Sequence, residues 1–316
     1  MGIIRKINET INNPWKLFYL AAANGHFSWM SDELYLKCLY RGRMGKRLSL
    51  ENPKTFNEKL QWLKLHDRIP EYTMMADKYL VRNYIAQILG EEYLIPLLGV
   101  WDDPDEINFD KLPDRFVLKC NHNSGVGMCI CKDKSKLDVD KVRRDLRKGL
   151  SQDYYLVHRE WPYKDIPRKI ICEQYMEDSS QKDSLTDYKF FCFNGVADCV
   201  MVCLDRFSGD TKFYFFDKNW ELKRLNIRGK NAPKGFTIPK PVCMDEMFRI
   251  AEKLSAGLPF SRIDLYECNG KVYFGEITFF PDSGFDANLL PETDQYFGEM
   301  IDLSVVKSNL PDAIAN

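Results

Sequence analysis

The chain has 316 residues, 45% hydrophobic and 13% aromatic, which excludes a disordered chain and allows two or three packed units around a large core. Lysine plus arginine number 45 and aspartate plus glutamate 46, a balance that gives no electrostatic footprint for nucleic acid. No run of about 18 apolar residues is present to span a membrane, and the ten cysteines are scattered, several in apolar strand-like runs (Cys192, Cys199, Cys203), as buried reduced thiols of a cytosolic protein would be.

Residues 1–75 read as helical. Arg5 and Lys6 precede no apolar core with a small-residue cleavage site, so export is not expected, and Lys6 stands where myristoylation needs Ser or Thr. The short apolar run WKLFYLAAA, from position 15, has the pattern of a packed helix. Asn52-Pro53-Lys54-Thr55 is a break-and-start signal before a helix whose Phe56, Leu60 and Leu63 recur at helical spacing. Residues 77–89 form a further expected helix, ended by Gly90. A strand and turn at 94–101 lead to strand, loop, strand: Phe116-Val117-Leu118-Lys119, then 121–127, then 128–131. A charged helix is expected at 138–150, its basic run KVRRDLRK forming a solvated face. Arg159, Lys164 and Arg168, around Trp161 and Tyr163, suit a mobile acceptor-binding loop or a plain surface loop. A buried strand at 170–175 precedes a polar link at 177–186. Residues 188–193, 196–204 and 212–217 alternate as an antiparallel meander, and 244–254 is a helix. Strands in blocks with helices between them give an α+β expectation.

The most informative stretch comes near the C-terminus. Arg262-Ile263-Asp264-Leu265-Tyr266 is followed by Gly275-Glu276-Ile277-Thr278 and then Pro281-Asp282-Ser283-Gly284. Asn269-Gly270 marks a hairpin turn between them. A two-residue loop would set Asp264 opposite Gly275 and turn Glu276 away. A three-residue loop, Cys268 to Gly270 with a G1 bulge, sets Glu267 opposite Lys271 and places Arg262, Asp264, Phe274, Glu276 and Thr278 on one face. That register leaves Ile263, Leu265, Tyr273 and Ile277 on the other face and separates charge from apolar surface more cleanly, so it is the expected one. The converging carboxylates suit a hard cation such as magnesium (Mg2+), which prefers oxygen ligands and often bridges to nucleotide phosphate. A hairpin with a merely solvated charged face fits the same letters.

Upstream, Lys119 ends an apolar strand just before Asn121-His122-Asn123-Ser124-Gly125-Val126-Gly127. Such a loop exposes backbone amides that can cradle phosphate, with the lysine as a point charge. It is neither a Walker sequence nor a dinucleotide fingerprint. Glu173-Gln174-Tyr175-Met176 sits at a strand end, where a backbone edge can pair with adenine and an acid can hold ribose hydroxyls. Asp187 and Lys189 share one face of the next strand. His122, in the phosphate loop, could contact substrate, though a loop histidine is more often solvated, and His26, His66 and His158 show no metal spacing.

The succession Asp77-Lys78, strand lysine with glycine loop, Glu-x-Tyr, Asp-x-Lys, Arg-x-Asp and Gly-Glu-x-Thr resembles the ATP-grasp superfamily over roughly residues 76–295. The segments NPKTFNEKLQWLKL, ADKY, FVLKCNHNSG, DYKFFCFNG and RIDLY…YFGEITFFPDSGF resemble its TupA-like branch, associated with teichuronopeptide, capsule and other bacterial surface polysaccharides. The resemblance implies an ATP-grasp fold, two α+β lobes clamping ATP, with a helical N-terminal region at 1–75, a first lobe at 76–176 and a second at 177–316. It implies that Lys78 and Lys119 contact nucleotide phosphates, that Asn123, Ser124, Gly125 and Gly127 fold over them, and that Glu173, Gln174, Tyr175 and Met176 form the adenine hinge. Asp187 would lie near the ribose, Asp264 and Glu276 would hold Mg2+, and Arg262, with Lys189 beside it, would steady the transferred phosphoryl group. Many relatives carry asparagine where this chain has Thr278, whose hydroxyl can still ligate magnesium.

The implied activity is ATP-dependent ligation of a carboxylate and an amine through an acyl phosphate, acting on a small-molecule or glycan acceptor in the bacterial cytoplasm, with contact at the inner membrane face open. A glycosyltransferase would instead use an Asp-x-Asp pair, for which Asp103-Pro104-Asp105 and Asp138-Val139-Asp140 fit by spelling. A non-catalytic ATP-grasp scaffold is the third reading. The N-terminal helices admit three roles: acceptor binding, dimer support or a cap on the core.

Overall fold

Two antiparallel sheets organise the chain in this computed structural model, which describes residues 14–23, 26–178, 185–205 and 210–307. Residues 1–13 of the expected helical region and 179–184 of the expected polar link lie outside the described residues. Helices come first. α1 (Pro14–Ala23) packs on α2 (Asp32–Met44), and α2 is capped by the Ser31 side chain and ended by Gly45 at φ 69°. The start signal at 52–55 is realised: Thr55 and Glu58 form a reciprocal capping box on α3 (Phe56–His66). α4 (Glu71–Ala76) and α5 (Val81–Ile88) follow. The helix expected from residue 77 begins four residues later. Asp77 is extended (ψ 113°), and its carboxylate accepts from the amides of Tyr79 (2.8 Å) and Leu80 (3.3 Å).

The smaller sheet has the order β1-β4-β2-β3, from β1 (Leu97–Trp101), β2 (Phe116–Cys120), β3 (Met128–Cys131) and β4 (Ile170–Gln174). α6 (Val139–Ser151), capped by Asp138, covers it and buries Val142 and Leu146 against Phe116, Leu118 and Cys172. α7 (Tyr154–His158) leads on to β4. The larger sheet has the order β10-β9-β5-β6-β7-β8. Its strands are β5 (Asp187–Phe193), β6 (Val196–Leu204), β7 (Lys212–Phe216), β8 (Leu222–Lys223), β9 (Phe260–Cys268) and β10 (Lys271–Thr278).

Strand alternation sends Phe190 and Phe191 to opposite faces of the larger sheet. On one face Phe190 meets Phe248 of α8 (Met244–Ser255), ring centroids 5.0 Å apart. On the other, Phe191, Phe193 and Phe260 form an aromatic cluster with Phe56 of α3 and Phe297 of α9 (Pro291–Met300); Phe56 lies 4.9 Å from Phe260 and 5.5 Å from Phe297. α3 is thus part of the core of the larger sheet, and it occupies only the half of that face beyond Arg262. The segment before β1 is also tied directly to the larger sheet and its helix: Leu94 bridges to Phe274 of β10, and Tyr93 Oη donates to Glu246 of α8 at 2.7 Å. All ten cysteines are free thiols, and among the described residues no helix is long and apolar enough to cross a membrane.

Two stability predictions follow from this packing. Phe56 is 1% exposed at the centre of the aromatic cluster, so Phe56→Ala lowers stability by about 3–5 kcal/mol in denaturant unfolding. Asp67, at the C-cap of α3, is 6% exposed and accepts from the Tyr72 hydroxyl (3.0 Å); burial outweighs that bond and pushes its carboxyl up to about 6. The folded chain therefore holds a proton that the unfolded chain releases between its ordinary value and about pH 6, and stability falls as pH rises through that window. Asp67→Asn removes this loss, so its stability relative to the parent rises by about 2 kcal/mol from pH 4 to pH 6.5, read from melting temperature against pH.

Candidate active site

The hairpin closes differently from the expected register. Lys271 pairs with Cys268, so Asn269 (φ 51°) and Gly270 (φ 72°) make a two-residue turn, not a three-residue loop. Left alone, that register would turn Glu276 away from Asp264. A bulge between Phe274 and Glu276 inserts Gly275 and restores the alignment, so that Glu276 faces Asp264 and Thr278 faces Arg262. Phe274 therefore pairs with Leu265 in the core, and Tyr273 pairs with Tyr266, the reverse of the faces expected for Phe274 and Tyr273. Glycine is required at the bulge because a Cβ at 275 would meet the Asp264 carbonyl oxygen at 2.8 Å and the Tyr266 ring at 2.9 Å.

β5 completes the constellation. Lys189 pairs with Asp264 across β5–β9, so Lys189, Asp264 and Glu276 occupy one rung of three adjacent strands. Asp264, 1% exposed, accepts two hydrogen bonds from Arg262 (Nε to Oδ1 2.6 Å, Nη2 to Oδ2 2.7 Å) and one from Lys189. Arg262 Nη2 also reaches Glu276 Oε1 (3.2 Å) and Thr278 Oγ1 (3.1 Å), and the Thr278 hydroxyl donates to Glu276 (3.1 Å). Lys189 lies 3.8 Å from Asp187. Glu276 differs from Asp264 in keeping 38% of its side chain exposed. Burial alone would raise the Glu276 carboxyl, but Lys78, Arg262, Lys189 and the Thr278 hydroxyl outweigh it and hold it at about 2. Burial pushes Asp264 up, against the pull of Arg262 and Lys189.

A cavity of about 530 Å3 opens between the two sheets. The larger sheet contributes Asp187, Lys189, Asp264, Tyr266 and Glu276 to its lining. From the smaller sheet and its loops come Lys119, Asn123, Ser124, Gly125 and the strand end Glu173 to Met176, and Lys78 enters from the turn before α5. Arg262 and Thr278 stand behind the carboxylates, and Gly127 is away from the lining. Gly127 packs on Gly149 of α6, where a Cβ would meet the opposing Cα at 2.8 Å.

The glycine loop is fixed at its base. Asn121 donates to Asp77 (2.9 Å) and to the Pro167 carbonyl (2.9 Å), and Asn123 donates to the Gly149 carbonyl (3.1 Å). His122, expected in solvent, is 1% exposed and sits 3.1 Å from the Gln152 carbonyl oxygen through Nε2. Ser124 and Gly125 remain exposed at the tip. Lys78 donates to the Asn123 carbonyl (2.8 Å), which ties the 77–78 turn to the loop, and burial lowers its ammonium pKa against the pull of Glu276. Lys119 lies 2.7 Å from Glu173 Oε2, and Arg82 approaches the other oxygen at 3.5 Å.

Several residues here carry no sequence signal. Arg82 is one basic letter in a short helix. Tyr154 packs 4.8 Å from the Tyr163 ring, and burial, then Glu160, raises its phenol pKa. The expected mobile loop at 159–168 is corrected at its first residue. Arg159 is 2% exposed, lies 4.3 Å over the Tyr35 ring and donates to the Phe27 carbonyl (3.0 Å), whereas Lys164 and Arg168 are exposed. The bulge predicts that Gly275→Ala costs about 1–3 kcal/mol, the expense of forcing a methyl into a filled space, and exposes β10 amides; Ala at Gly257, where there is room but φ is 79°, costs about 1–2 kcal/mol through its backbone alone and leaves β10 undisturbed. Melting temperature and amide exchange in β10 measure both.

Comparison with known proteins gives these features a common frame. No curated protein matches the chain. Among solved structures it is similar to D-alanine–D-alanine ligase from Helicobacter pylori, at 15% identity over 82% of this chain and 70% of that one, TM-score 0.44. It is similar to D-alanine–D-alanine ligase from Bacillus anthracis complexed with ATP, at 17% identity over 83% and 74%, TM-score 0.46. It is also similar to the ATP-grasp ligase PsnB complexed with a phosphomimetic variant of its minimal precursor, Mg and ADP, at 11% identity over 79% and 65%, TM-score 0.41. The family model for TupA-like ATP-grasp proteins matches residues 58–302, from α3 through the whole hairpin to the end of α9. The chain belongs to the TupA-like ATP-grasp family.

Proposed function

We propose that this protein is an ATP-dependent carboxylate–amine ligase that joins an amino acid or other amine to a sugar acid during bacterial surface polysaccharide or capsule synthesis. The observation that carries the reading is the division of charge across the cleft: Lys78 and Lys119 on one wall face the Lys189–Asp264–Glu276 rung on the other. The polysaccharide setting rests on family membership.

The donor set at the hairpin fits magnesium. Asp264, Glu276 and Thr278 offer only oxygen, and the low carboxyl pKa of Glu276 keeps it ionised and facing the cavity. When bound, magnesium would neutralise phosphate charge and orient the transferred phosphoryl group. In this scheme Lys78 and Lys119 hold nucleotide phosphates under the Ser124–Gly125 tip, the backbone at Gln174–Met176 receives adenine, and Asp187 lies near the ribose. An oxygen of the substrate carboxylate attacks the γ-phosphorus and ADP leaves, giving an acyl phosphate. The amine then attacks the acyl carbon, phosphate departs and the amine loses a proton. Arg262, expected beside the transferred phosphoryl group but set behind the carboxylates, acts on it through Asp264 and Glu276, which it orients, and Lys189 holds Asp264 in place. No nucleophilic side chain is needed.

Glycosyl transfer finds less support. Asp103 accepts from the Asp105 amide (2.8 Å), Asp105 pairs with Arg147 and Arg143, and Asp138 caps α6. None of these acids lines the cleft.

Thermal stabilisation tests the choice. With magnesium, ADP or ATP at about 100 times its dissociation constant adds ~2.7 kcal/mol and raises the melting temperature by a few degrees; Glu276→Gln loses most of that shift. A response to UDP-sugars alone would turn the reading to glycosyl transfer, and no response to any nucleotide would favour a scaffold.

A further inference from the structure

α3, inside which the family match opens at residue 58, carries a helix face that the ligase reading leaves unused. Asn57, Gln61 and Lys64 of α3 recur at i, i+4 and i+7, and all three are 0% exposed. Fully buried polar side chains at this spacing are unusual unless each has partners. Asn57 donates to Asp294 of α9 (2.9 Å), and the remaining partners lie on one short segment or beside it.

That segment is the turn leaving β10. Asp282 (φ 48°), Ser283 (φ 54°) and Gly284 (φ 67°) are three successive left-handed residues, two of them not glycine. Such backbone persists only where its surroundings enforce it. Gln61 Nε2 donates to the carbonyls of Ser283 (3.1 Å) and Gly284 (2.6 Å). Lys64 Nζ donates to the Ser283 carbonyl (2.7 Å), the His158 carbonyl (2.9 Å) and Gln61 Oε1 (3.1 Å), which uses all three of its protons. Asn57 accepts from the Asp286 amide (2.8 Å) and donates to the Asp286 carbonyl (3.3 Å). The Ser283 hydroxyl donates to Glu160 (2.5 Å), a carboxylate only 3% exposed, so the Lys64 charge is answered through the turn itself. The arrangement holds Asp282 with half its side chain open, 3.9 Å from Arg43, in a turn that begins three residues after Thr278, the cross-strand partner of Arg262.

We infer that Asn57, Gln61 and Lys64 are positioning residues, which hold the Asp282–Gly284 turn in its left-handed form and so set the wall of the site beside Arg262, where the second substrate meets the activated carboxylate. This rests on the ligase reading for what the wall serves. It also gives the N-terminal helices a role in the chemistry, through α3.

Lys64→Met, Glu160→Gln and the double variant test it, with Leu63→Ala on the apolar side of α3 as a structural control. Amide hydrogen exchange at 283–286 and MgADP affinity by calorimetry are measured for each. Lys64→Met leaves Glu160 buried without its countercharge, and exchange at 283–286 rises at least tenfold while MgADP affinity stays within twofold. Removing both charges relieves the stranded carboxylate but not the lost bonds to Ser283 and His158, so protection recovers only in part, to a level between Lys64→Met and the parent. Leu63→Ala instead raises exchange throughout α3 and the larger sheet. Unchanged protection at 283–286 in Lys64→Met, a rise spread evenly over the core, or no recovery in the double variant overturns the inference. Failure of the parent protein to bind MgADP, with the exchange pattern as expected, strikes at the ligase reading and leaves the anchoring of the turn standing.

Discussion

Everything at this site depends on burying Asp264. A carboxylate that is 1% exposed is tolerable only if its charge is answered, and here the answer is complete: two parallel bonds from Arg262 and one from Lys189. Those bonds fix β5 against β9 at one rung, and Arg262 carries the tie on to β10. Glu276 inherits the geometry through Arg262 and Thr278, yet remains open to the cavity. One carboxylate is structural ballast for the other, and the pair meets the opposite wall as a rigid, ionised surface.

The opposite wall is assembled by a different principle. Lys78 is held by a loop carbonyl and Lys119 by Glu173, so both ammonium groups are oriented by the protein itself. The loop between them is pinned through Asn121, Asn123 and the Gly127–Gly149 contact, which confines exposure to Ser124 and Gly125. Preorganised cations facing preorganised carboxylates suit phosphoryl transfer, where positioning and charge neutralisation supply most of the catalysis.

Much of this was legible from letters alone. The strand blocks, the helix start at 52–55 and the polar grouping of Arg262, Asp264, Glu276 and Thr278 all follow from local pattern. The register did not follow, although its consequence did. Asn269-Gly270 makes the tight turn that its letters favour, and Gly275 supplies the compensating bulge, which sequence cannot separate from an ordinary strand glycine. Polar residues buried by tertiary contact were the other blind spot. Asn57, Gln61 and Lys64 look like a solvated helix face, Arg159 like a surface cation and His122 like a loop residue, because burial is decided by segments more than 25 residues away, as at Lys64 and Ser283 (|i−j| 219).

The central claim is that the Asp264–Glu276 face and the Lys78–Lys119 wall grip one metal-bound nucleotide. Crystals grown with ADP and manganese in place of magnesium test it most directly, because manganese marks its own position by anomalous scattering. The account predicts a manganese peak on Glu276 and Asp264, phosphates reaching Lys78 and Lys119, and adenine against Gln174 to Met176. Manganese or nucleotide bound at Asp103 and Asp105, or anywhere outside this cleft, would contradict it.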